Sequence, residues 1–235
     1  MTDVRQGPNT AKLDALLDSA NADKKLRRAI RRTQKLFHAD GVLAGLRAGM
    51  GPQSVFVDCG AHHGETTLEV AATGATIHAF EPDPRNWPEL VASCGKFANV
   101  TLHNAAVATE DGELTIYGSS RFTDKEDWRL SGSSTLANNA SIDEADAHQV
   151  RAVALLPFLR DLVAKHGRIN VLKIDIEGGE VAILEQLIAT DIFEHINLTL
   201  VETHRWLFPD LGERYAALYE YAGTHPQLNI NLHWI

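Results

Sequence analysis

The fold of this 235-residue chain is decided by the stretch Ser54-Val-Phe-Val-Asp58-Cys-Gly60-Ala-His-His-Gly64-Glu-Thr-Thr67. Its apolar start, Val55 to Val57, is typical of a strand that is buried on both faces. The run ends at Asp58, glycines follow at 60 and 64, and the next residues favour a helix. A strand that turns through glycines into a helix brings bare backbone close to a ligand and directs helix N–H groups at it. The stretch therefore predicts a ligand-binding loop.

A second apolar run, Thr76 to Phe80, ends on the acid Glu81, which Pro82 follows. Glu81 comes 21 residues after Gly60. In nucleotide-binding βαβ units an acid roughly 20 residues after the glycines hydrogen-bonds a ribose hydroxyl. We therefore expect the loop and the acid to bind a nucleoside together. The alternative is an ordinary βα turn followed by a chance acid.

The pattern of the loop distinguishes among nucleosides. A dinucleotide site has the pattern G-x-G-x-x-G, in which the middle glycine lets a pyrophosphate come close. Here an acid, Asp58, precedes Gly60, and His62 stands where the middle glycine would be. A carboxylate at this place repels a pyrophosphate but suits a cationic or amine-bearing ligand. S-adenosylmethionine fits this description, because it carries a sulfonium, an amine and a ribose diol but no phosphate.

Composition and charge exclude several classes of protein. A hydrophobic content of 44% is normal for a chain that buries a core. The formal charge of −9 argues against nucleic-acid binding, which relies on clustered Lys and Arg. Two cysteines, Cys59 and Cys94, imply no disulfide framework. No apolar run approaches the ~20 residues of a membrane span, and Met1 to Gly7 lacks the apolar core of a signal peptide. We therefore predict a soluble, cytoplasmic protein with no nucleic-acid partner and no membrane span.

The chain is predicted to divide into an N-terminal helical extension, residues 1–50, and an α/β domain, residues 51–235. Leucines recur at helical spacing in the extension, and we expect it to cap the domain and help shape the substrate entrance. We interpret its basic run, Lys24 to Arg32, as the solvated face of a helix; a patch for nucleic acid or anionic lipid is the alternative. Residues 118–149 are rich in Ser, Asn, Asp and Ala, and we interpret them as a substrate-side loop.

Strands alternate with helices along residues 51–235, which predicts a mostly parallel sheet with helices on both faces. A third strand is predicted over Val100 to Val107, a hairpin at Asp111-Gly112 returns Leu114 to Tyr117 beside it, and the last strand is Leu228 to Trp234. In such sheets the ligand lies outside the carboxyl ends of the strands. The strand-end side chains expected to meet there are Asp58, Glu81, Asn104, Asp175 and Glu202.

Three blocks of the sequence resemble the FkbM family of S-adenosylmethionine-dependent methyltransferases. They are Val57-Asp-Cys-Gly-Ala-His-His-Gly64, Ala79-Phe-Glu-Pro-Asp-Pro84 and Leu172-Lys-Ile-Asp-Ile-Glu-Gly-Gly-Glu-Val-Ala-Ile-Leu184. The resemblance implies a Rossmann-like class I methyltransferase fold, S-adenosylmethionine as cofactor, and methyl transfer, usually to a hydroxyl of a sugar, polyketide or related small metabolite. Amide nitrogen in peptides is an alternative acceptor. The expected cofactor-binding residues are Asp58, Gly60, Ala61, Gly64, Glu81, Pro82, Asn104, Ala105 and Asp175.

The sequence departs from the family pattern at two places. The family usually has asparagine where His62 stands. After Glu202 the sequence shows one clear strand, whereas sheets of this superfamily normally end in two antiparallel strands. We therefore expect the last edge of the sheet to be truncated or irregular.

Methyl transfer to a hydroxyl requires a group that accepts the hydroxyl proton. Asp175 is the first candidate, because it ends a strand that we expect to lie next to the Val55 strand. We expect Glu180 to be structural or solvated. The further candidates for catalysis are Glu177 and His204, with His62 and His63 as rival bases.

A divalent metal is an alternative for the same region. Asp175, Glu177, Glu202 and His204 are residue types that bind hard cations. No spacing requires a metal, so we favour a hydrogen-bonded acid cluster around the acceptor and assign no metal ligand. The rival classes of protein are a non-catalytic nucleoside-binding module and a nicotinamide oxidoreductase. Neither explains the second acidic block of the sequence, residues 175–180. The predicted partner is a small-molecule acceptor, and a homo-oligomer is left open.

Overall fold

The computed structural model describes residues 24–119 and 142–234. Among them the helices are α1 (Lys24–Gly49), α2 (Glu65–Ala71), α3 (Trp87–Cys94), α4 (Leu155–His166), α5 (Glu180–Ile188) and α6 (Gly212–Thr224). The strands are β1 (Val55–Cys59), β2 (Thr76–Phe80), β3 (Val100–His103), β4 (Ala106–Ala108), β5 (Gly112–Ser119), β6 (Ile142–Ala154), β7 (Ile169–Ile174), β8 (Ile196–Val201) and β9 (Ile230–Asn231).

Six strands form a sheet in the order β3-β2-β1-β7-β8-β9, and every pairing within it is parallel. The chain runs outward from β1 to β3 and then returns to β7 on the other side of β1. Such a reversal of strand order leaves a crevice at the carboxyl ends, where ligands bind. The β1–β7 ladder reaches this point with the pairs Asp58–Lys173 and Cys59–Ile174. The predicted Rossmann-like α/β fold is confirmed, and β1 and β7 are neighbours as expected.

Apolar side chains cover this sheet on both faces. Phe80 belongs to the larger core cluster, to which α4, α5 and α6 contribute. The preceding residue, Ala79, belongs to a separate cluster with Leu90 and Cys94 of α3. Successive residues of a strand point to opposite faces, so both faces of β2 are buried. This burial explains why the central strands appear in the sequence as nearly continuous apolar runs.

A smaller sheet, in the order β4-β6-β5, corrects the expectation for residues 100–117. The predicted strand over Val100 to Val107 is in fact two strands, β3 in the main sheet and β4 parallel to β6. The chain turns between them, where the Ala105 N–H donates to the His103 carbonyl over 2.9 Å. The expectation that the following strand returns beside the third one is wrong, because β5 pairs antiparallel with β6.

The region predicted as irregular, residues 118–149, contains strand at both ends. β5 extends to Ser119, β6 begins at Ile142, and the two pair with a register shift between Tyr117 and Gly118. The start of β6 is polar, so its strand character comes from its partner rather than from its own composition. Residues 120–141 lie outside the described residues, and the substrate-side role of the region stays a prediction.

The last edge of the main sheet is short, as the sequence indicated. The strand predicted over Leu228 to Trp234 is only the two-residue strand β9, which pairs parallel with β8. Before it, Pro226–Leu228 forms a 3₁₀ helix that ends at Asn229 in the left-handed conformation. Beyond β9, the Trp234 N–H still donates to the carbonyl of Val201 over 3.2 Å.

Of the described residues, 24–42 belong to one compact unit and Leu43–Trp234 to the other. The second unit contains every strand of the described residues. Leu13 and its neighbouring leucines lie outside the described residues, and the capping role of the extension stays a prediction. Within residues 24–119 and 142–234, none of the helices has both the length and the apolar character that a membrane-spanning segment requires.

Candidate active site

Gly60 connects the three strands at the centre of the site. Its φ is +84°, a conformation that side chains disfavour. A Cβ at this position would lie 1.8 Å from the backbone oxygen of Asp175, so the loop after β1 packs directly on the end of β7. The N–H groups of Gly60 and Ala61 both donate to the Phe80 carbonyl, over 3.0 and 2.8 Å. The ends of β1, β2 and β7 are therefore held together by bare backbone.

Gly64 is required for helix packing. Its φ is +93°, and a Cβ there would lie 2.6 Å from Cys94 Sγ and 2.9 Å from Leu90 Cδ1. These atoms belong to α3, so this glycine lets α2 start close to α3. Its predicted contact with a cofactor stays a prediction.

Glu81 is buried at the end of β2 and organises the loops around it. Its carboxylate accepts the N–H of His62 at 2.8 Å and the N–H of Asp83 at 2.9 Å. It also accepts a hydrogen bond from Asn86 Nδ2 at 3.2 Å. Burial raises its pKa despite these hydrogen bonds. The strand-end acid thus joins the glycine loop to the turn that starts at Pro82.

His62 occupies a left-handed backbone conformation, with φ of +52°. Asparagine adopts this conformation more readily than most residues, which gives a backbone reason for the asparagine usual in the family. His63 is buried, with 3.1 Å between its Nε2 and Asn86 Oδ1, and the centroids of the two imidazole rings lie 3.7 Å apart. The two histidines therefore pack against each other, His62 at the loop and His63 beneath it.

Asp58 is fully buried and is paired with a lysine that sequence reasoning missed. Its carboxylate accepts Thr67 Oγ1 at 2.7 Å and lies 3.1 Å from Lys173 Nζ. Lys173 also donates to the Gly60 carbonyl over 2.8 Å and lies 3.5 Å from Asp175 Oδ2. Burial alone would lower the pKa of Lys173, but the two carboxylates raise it above its ordinary value. The charge of Asp58 is thus balanced within the protein, and the signal for this pair was a lysine in an otherwise apolar strand.

An acidic edge follows β7 and β8, and His204 lies at its centre. His204 Nε2 lies 3.3 Å from Glu177 Oε2, 3.8 Å from Asp175 Oδ1 and 4.0 Å from Glu202 Oε1. The side chain of His204 is only 5% exposed, whereas the three acids are 25–28% exposed. Glu177 has φ of +53°, a strained conformation of the kind that occurs at functional sites. The structure brings together the three residues predicted for catalysis, and adds Glu202.

Glu180 lies behind this edge and is structural. Its carboxylate accepts Tyr215 Oη at 2.6 Å, the Gly178 N–H at 2.7 Å and the His204 N–H at 2.9 Å. Burial alone would raise its pKa, but the hydrogen bonds from His204 and Tyr215 lower it. Burial likewise would lower the pKa of His204, but the surrounding carboxylates, Glu180 first, raise it to about 9. Without a ligand the ring therefore carries a proton at neutral pH.

Glu202 and Asn104 were both predicted to face the crevice, and the structure places the two side chains in different surroundings. Glu202 belongs to the acidic edge, where burial and the charge of Asp175 raise its pKa to about 7. Sequence reasoning noted its strand-end position but did not rank it as catalytic. Asn104 is exposed after β3, next to the buried Ala105. The predicted contact of Asn104 with a cofactor stays a prediction.

The fold and the site together are those of a Rossmann-like α/β protein with a ligand crevice at the carboxyl ends of its strands. The parallel sheet reverses its strand order between β1 and β7, and a glycine loop, a strand-end acid and an acidic edge meet there. The chain belongs to the FkbM methyltransferase family, since the model of the methyltransferase FkbM domain matches residues 58–223, more than half of its length. A comparison with curated proteins finds no significant match.

Proposed function

We propose that this methyltransferase uses S-adenosylmethionine, bound in the crevice at the carboxyl ends of β1, β2 and β7. The observation that carries the proposal is the packing of Gly60 on the backbone of Asp175, which sets the glycine loop beside the acidic edge. A cofactor in this crevice presents its methyl group towards that edge. Glu81 supports the ribose contact, because a carboxylate has about four acceptor sites and three hydrogen bonds from the protein reach this one.

The acceptor in this proposal is a hydroxyl on a sugar, polyketide or related small metabolite. Methyl transfer to a hydroxyl needs a proton acceptor within hydrogen-bond reach. We assign this role to Asp175, which stands at the switch point and is a quarter exposed. Lys173 lies on one side of its carboxylate and His204 on the other, so the group is held in place from both sides.

A second candidate function is methyl transfer to an amine or amide nitrogen. The observation that favours it is the excess of negative charge at the edge, where Asp175, Glu177 and Glu202 surround a single imidazole. Such an edge attracts an ammonium group. The two functions differ in the methylated product, so mass spectrometry of products from a metabolite screen distinguishes them.

The test of the cofactor is calorimetric titration with S-adenosylhomocysteine and, separately, with NAD. We expect saturable binding of S-adenosylhomocysteine at one site per chain and none of NAD. Binding of NAD alone would support an oxidoreductase, and binding of S-adenosylhomocysteine without methyl transfer to any acceptor would support a non-catalytic nucleoside-binding module. The cytoplasmic location, the homo-oligomer and the capping role of residues 1–50 stay predictions beside this one.

A further inference from the structure

The acidic edge brings the donor atoms of three residues close together. Charged N–H···O hydrogen bonds normally span about 2.7–2.9 Å. The carboxylate oxygens of Glu177 and Asp175 lie 3.3 and 3.8 Å from His204 Nε2, longer than such bonds. One donor atom of each of these three residues lies within 4.8 Å of the other two. A buried imidazole and two carboxylates thus present potential metal ligands to one small region.

These separations also suit atoms that share one metal ion. Nitrogen and oxygen ligands lie about 2.1 Å from a small divalent cation. Two such ligands are therefore about 3.0 Å apart at a right angle, about 3.4 Å apart in a tetrahedron and about 4.2 Å apart when opposite. Both distances from His204 Nε2 fall within this range.

The residue behind His204 supports the same assignment. A histidine that binds a metal through one nitrogen usually donates its other N–H to a carboxylate, which sets the orientation of the ring. Here Nδ1 lies 3.4 Å from Glu180 Oε1, an ion-pair distance that would have to shorten to a hydrogen bond when a cation binds. Glu180 is itself held by Tyr215 and by two backbone N–H groups, so it can serve as this support.

We propose that Asp175, Glu177 and His204 form a site for a divalent cation of the Mg²⁺ or Mn²⁺ type. This inference rests on the proposed function and deepens it: the cation would bind the acceptor's hydroxyl oxygen and make that hydroxyl more acidic. Asp175 would offer Oδ1 to the cation, while Oδ2, 3.5 Å from Lys173 Nζ, would serve as the proton acceptor. Glu202, 4.0 Å from His204 Nε2, lies beside the site. This assignment replaces the metal-free acid cluster that the sequence alone favoured.

The experiment is Mn²⁺ binding to the full chain, freed of metal with EDTA and then dialysed. Electron paramagnetic resonance measures free Mn²⁺ directly. We expect one saturable site per chain, with at least about tenfold weaker binding in Glu177→Gln and in His204→Gln. Glu113→Gln is the matched control, because it removes the same charge from an exposed position on β5, and it should bind as the wild type does. Because His204 is buried, His204→Gln can fail to fold. In that case the Mn²⁺ affinity of Glu177→Gln, at a partly exposed position, is the deciding measurement.

Two results would overturn the inference: no saturable Mn²⁺ binding by the wild type, or equal affinity in wild type and Glu177→Gln. The proposed function is tested separately, by S-adenosylhomocysteine binding to the same metal-free protein. If that ligand binds and Mn²⁺ does not, the metal site is wrong and the cofactor assignment stands. If Mn²⁺ binds and that ligand does not, the cofactor assignment is wrong and the cation site remains.

Discussion

Gly60→Ala tests the contact on which the site is built. The added methyl group meets two separate obstacles. The backbone is left-handed at φ +84°, which costs a non-glycine residue about 1–2 kcal/mol. The Cβ would also lie 1.8 Å from the Asp175 oxygen, and the shift of backbone needed to relieve such overpacking costs about 1–3 kcal/mol. We therefore expect the free energy of unfolding to fall by about 2–5 kcal/mol.

Gly167→Ala provides a matched control for the backbone part of this cost. Gly167 follows α4 with φ of +83°, nearly the same as Gly60, but a Cβ there would meet no atom within 4 Å. Its ψ of −38° lies outside the left-handed helical region, so this variant should lose about 1–3 kcal/mol from backbone strain alone. The difference between the two variants, about 1–3 kcal/mol, then measures the contact between the loop and the end of β7.

The assays are urea unfolding and calorimetric titration with S-adenosylhomocysteine. Gly60→Ala should bind this ligand at least about tenfold more weakly, a loss of ~1.4 kcal/mol, because the loop must move away from Asp175. Gly167→Ala should keep wild-type affinity. The reasoning is refuted if both variants lose the same stability, or if Gly60→Ala folds and binds S-adenosylhomocysteine as tightly as the wild type.

Three further predictions concern Asp175, Glu81 and His78. Asp175→Asn keeps the shape of the side chain but removes the base, so turnover should fall by ~10²–10⁴ while S-adenosylhomocysteine affinity changes little. Glu81→Gln should weaken calorimetric binding of that ligand about ten- to a hundredfold, since hydrogen bonds to a charged group are worth about 1.5–3 kcal/mol. The third concerns acid stability: burial, and then the neighbouring His103, lower the pKa of His78 to about 4. In the folded protein the ring is neutral down to about pH 4, whereas in the unfolded chain it takes up a proton near pH 6.5. Because of this group, the free energy of unfolding should be constant above pH 6.5 and should fall by about 1–2 kcal/mol between pH 6.5 and pH 4, after screening by solvent.

Each of these predictions has its own control and contrary result. For Asp175→Asn the control is Glu113→Gln, an exposed acid on β5, and near-normal turnover of the Asp175 variant would end its assignment as the base. For Glu81→Gln, unchanged affinity in a folded protein would remove the ribose contact. For the acid effect, urea unfolding between pH 7 and pH 4 should show a flatter slope in His78→Gln than in the wild type. His38→Gln, on the exposed face of α1, should keep the wild-type slope.

The sequence determined those parts of the protein that depend on neighbours along the chain. Val55 to Val57 predicted a buried strand, and the glycines at 60 and 64 predicted a loop of bare backbone, because apolar continuity and backbone freedom are properties of a few adjacent residues. The strand-end positions of Glu81 and Asp175 followed from the same local signals. Parallel strands place their carboxyl ends along one edge, so the location of the site followed as well.

Only the tertiary structure decided which charges meet and how β4, β5 and β6 pair. Asp58 and Lys173 are 115 positions apart, and their ion pair exists because β1 and β7 are neighbours in register. Glu180 accepts a hydrogen bond from Tyr215, which lies 35 residues later on α6. This contact makes Glu180 a buried support for His204 and not a solvated acid. β6 likewise takes its strand character from pairing with β5. Such contacts depend on how distant segments pack, and the short-range pattern of residues carries no record of that packing.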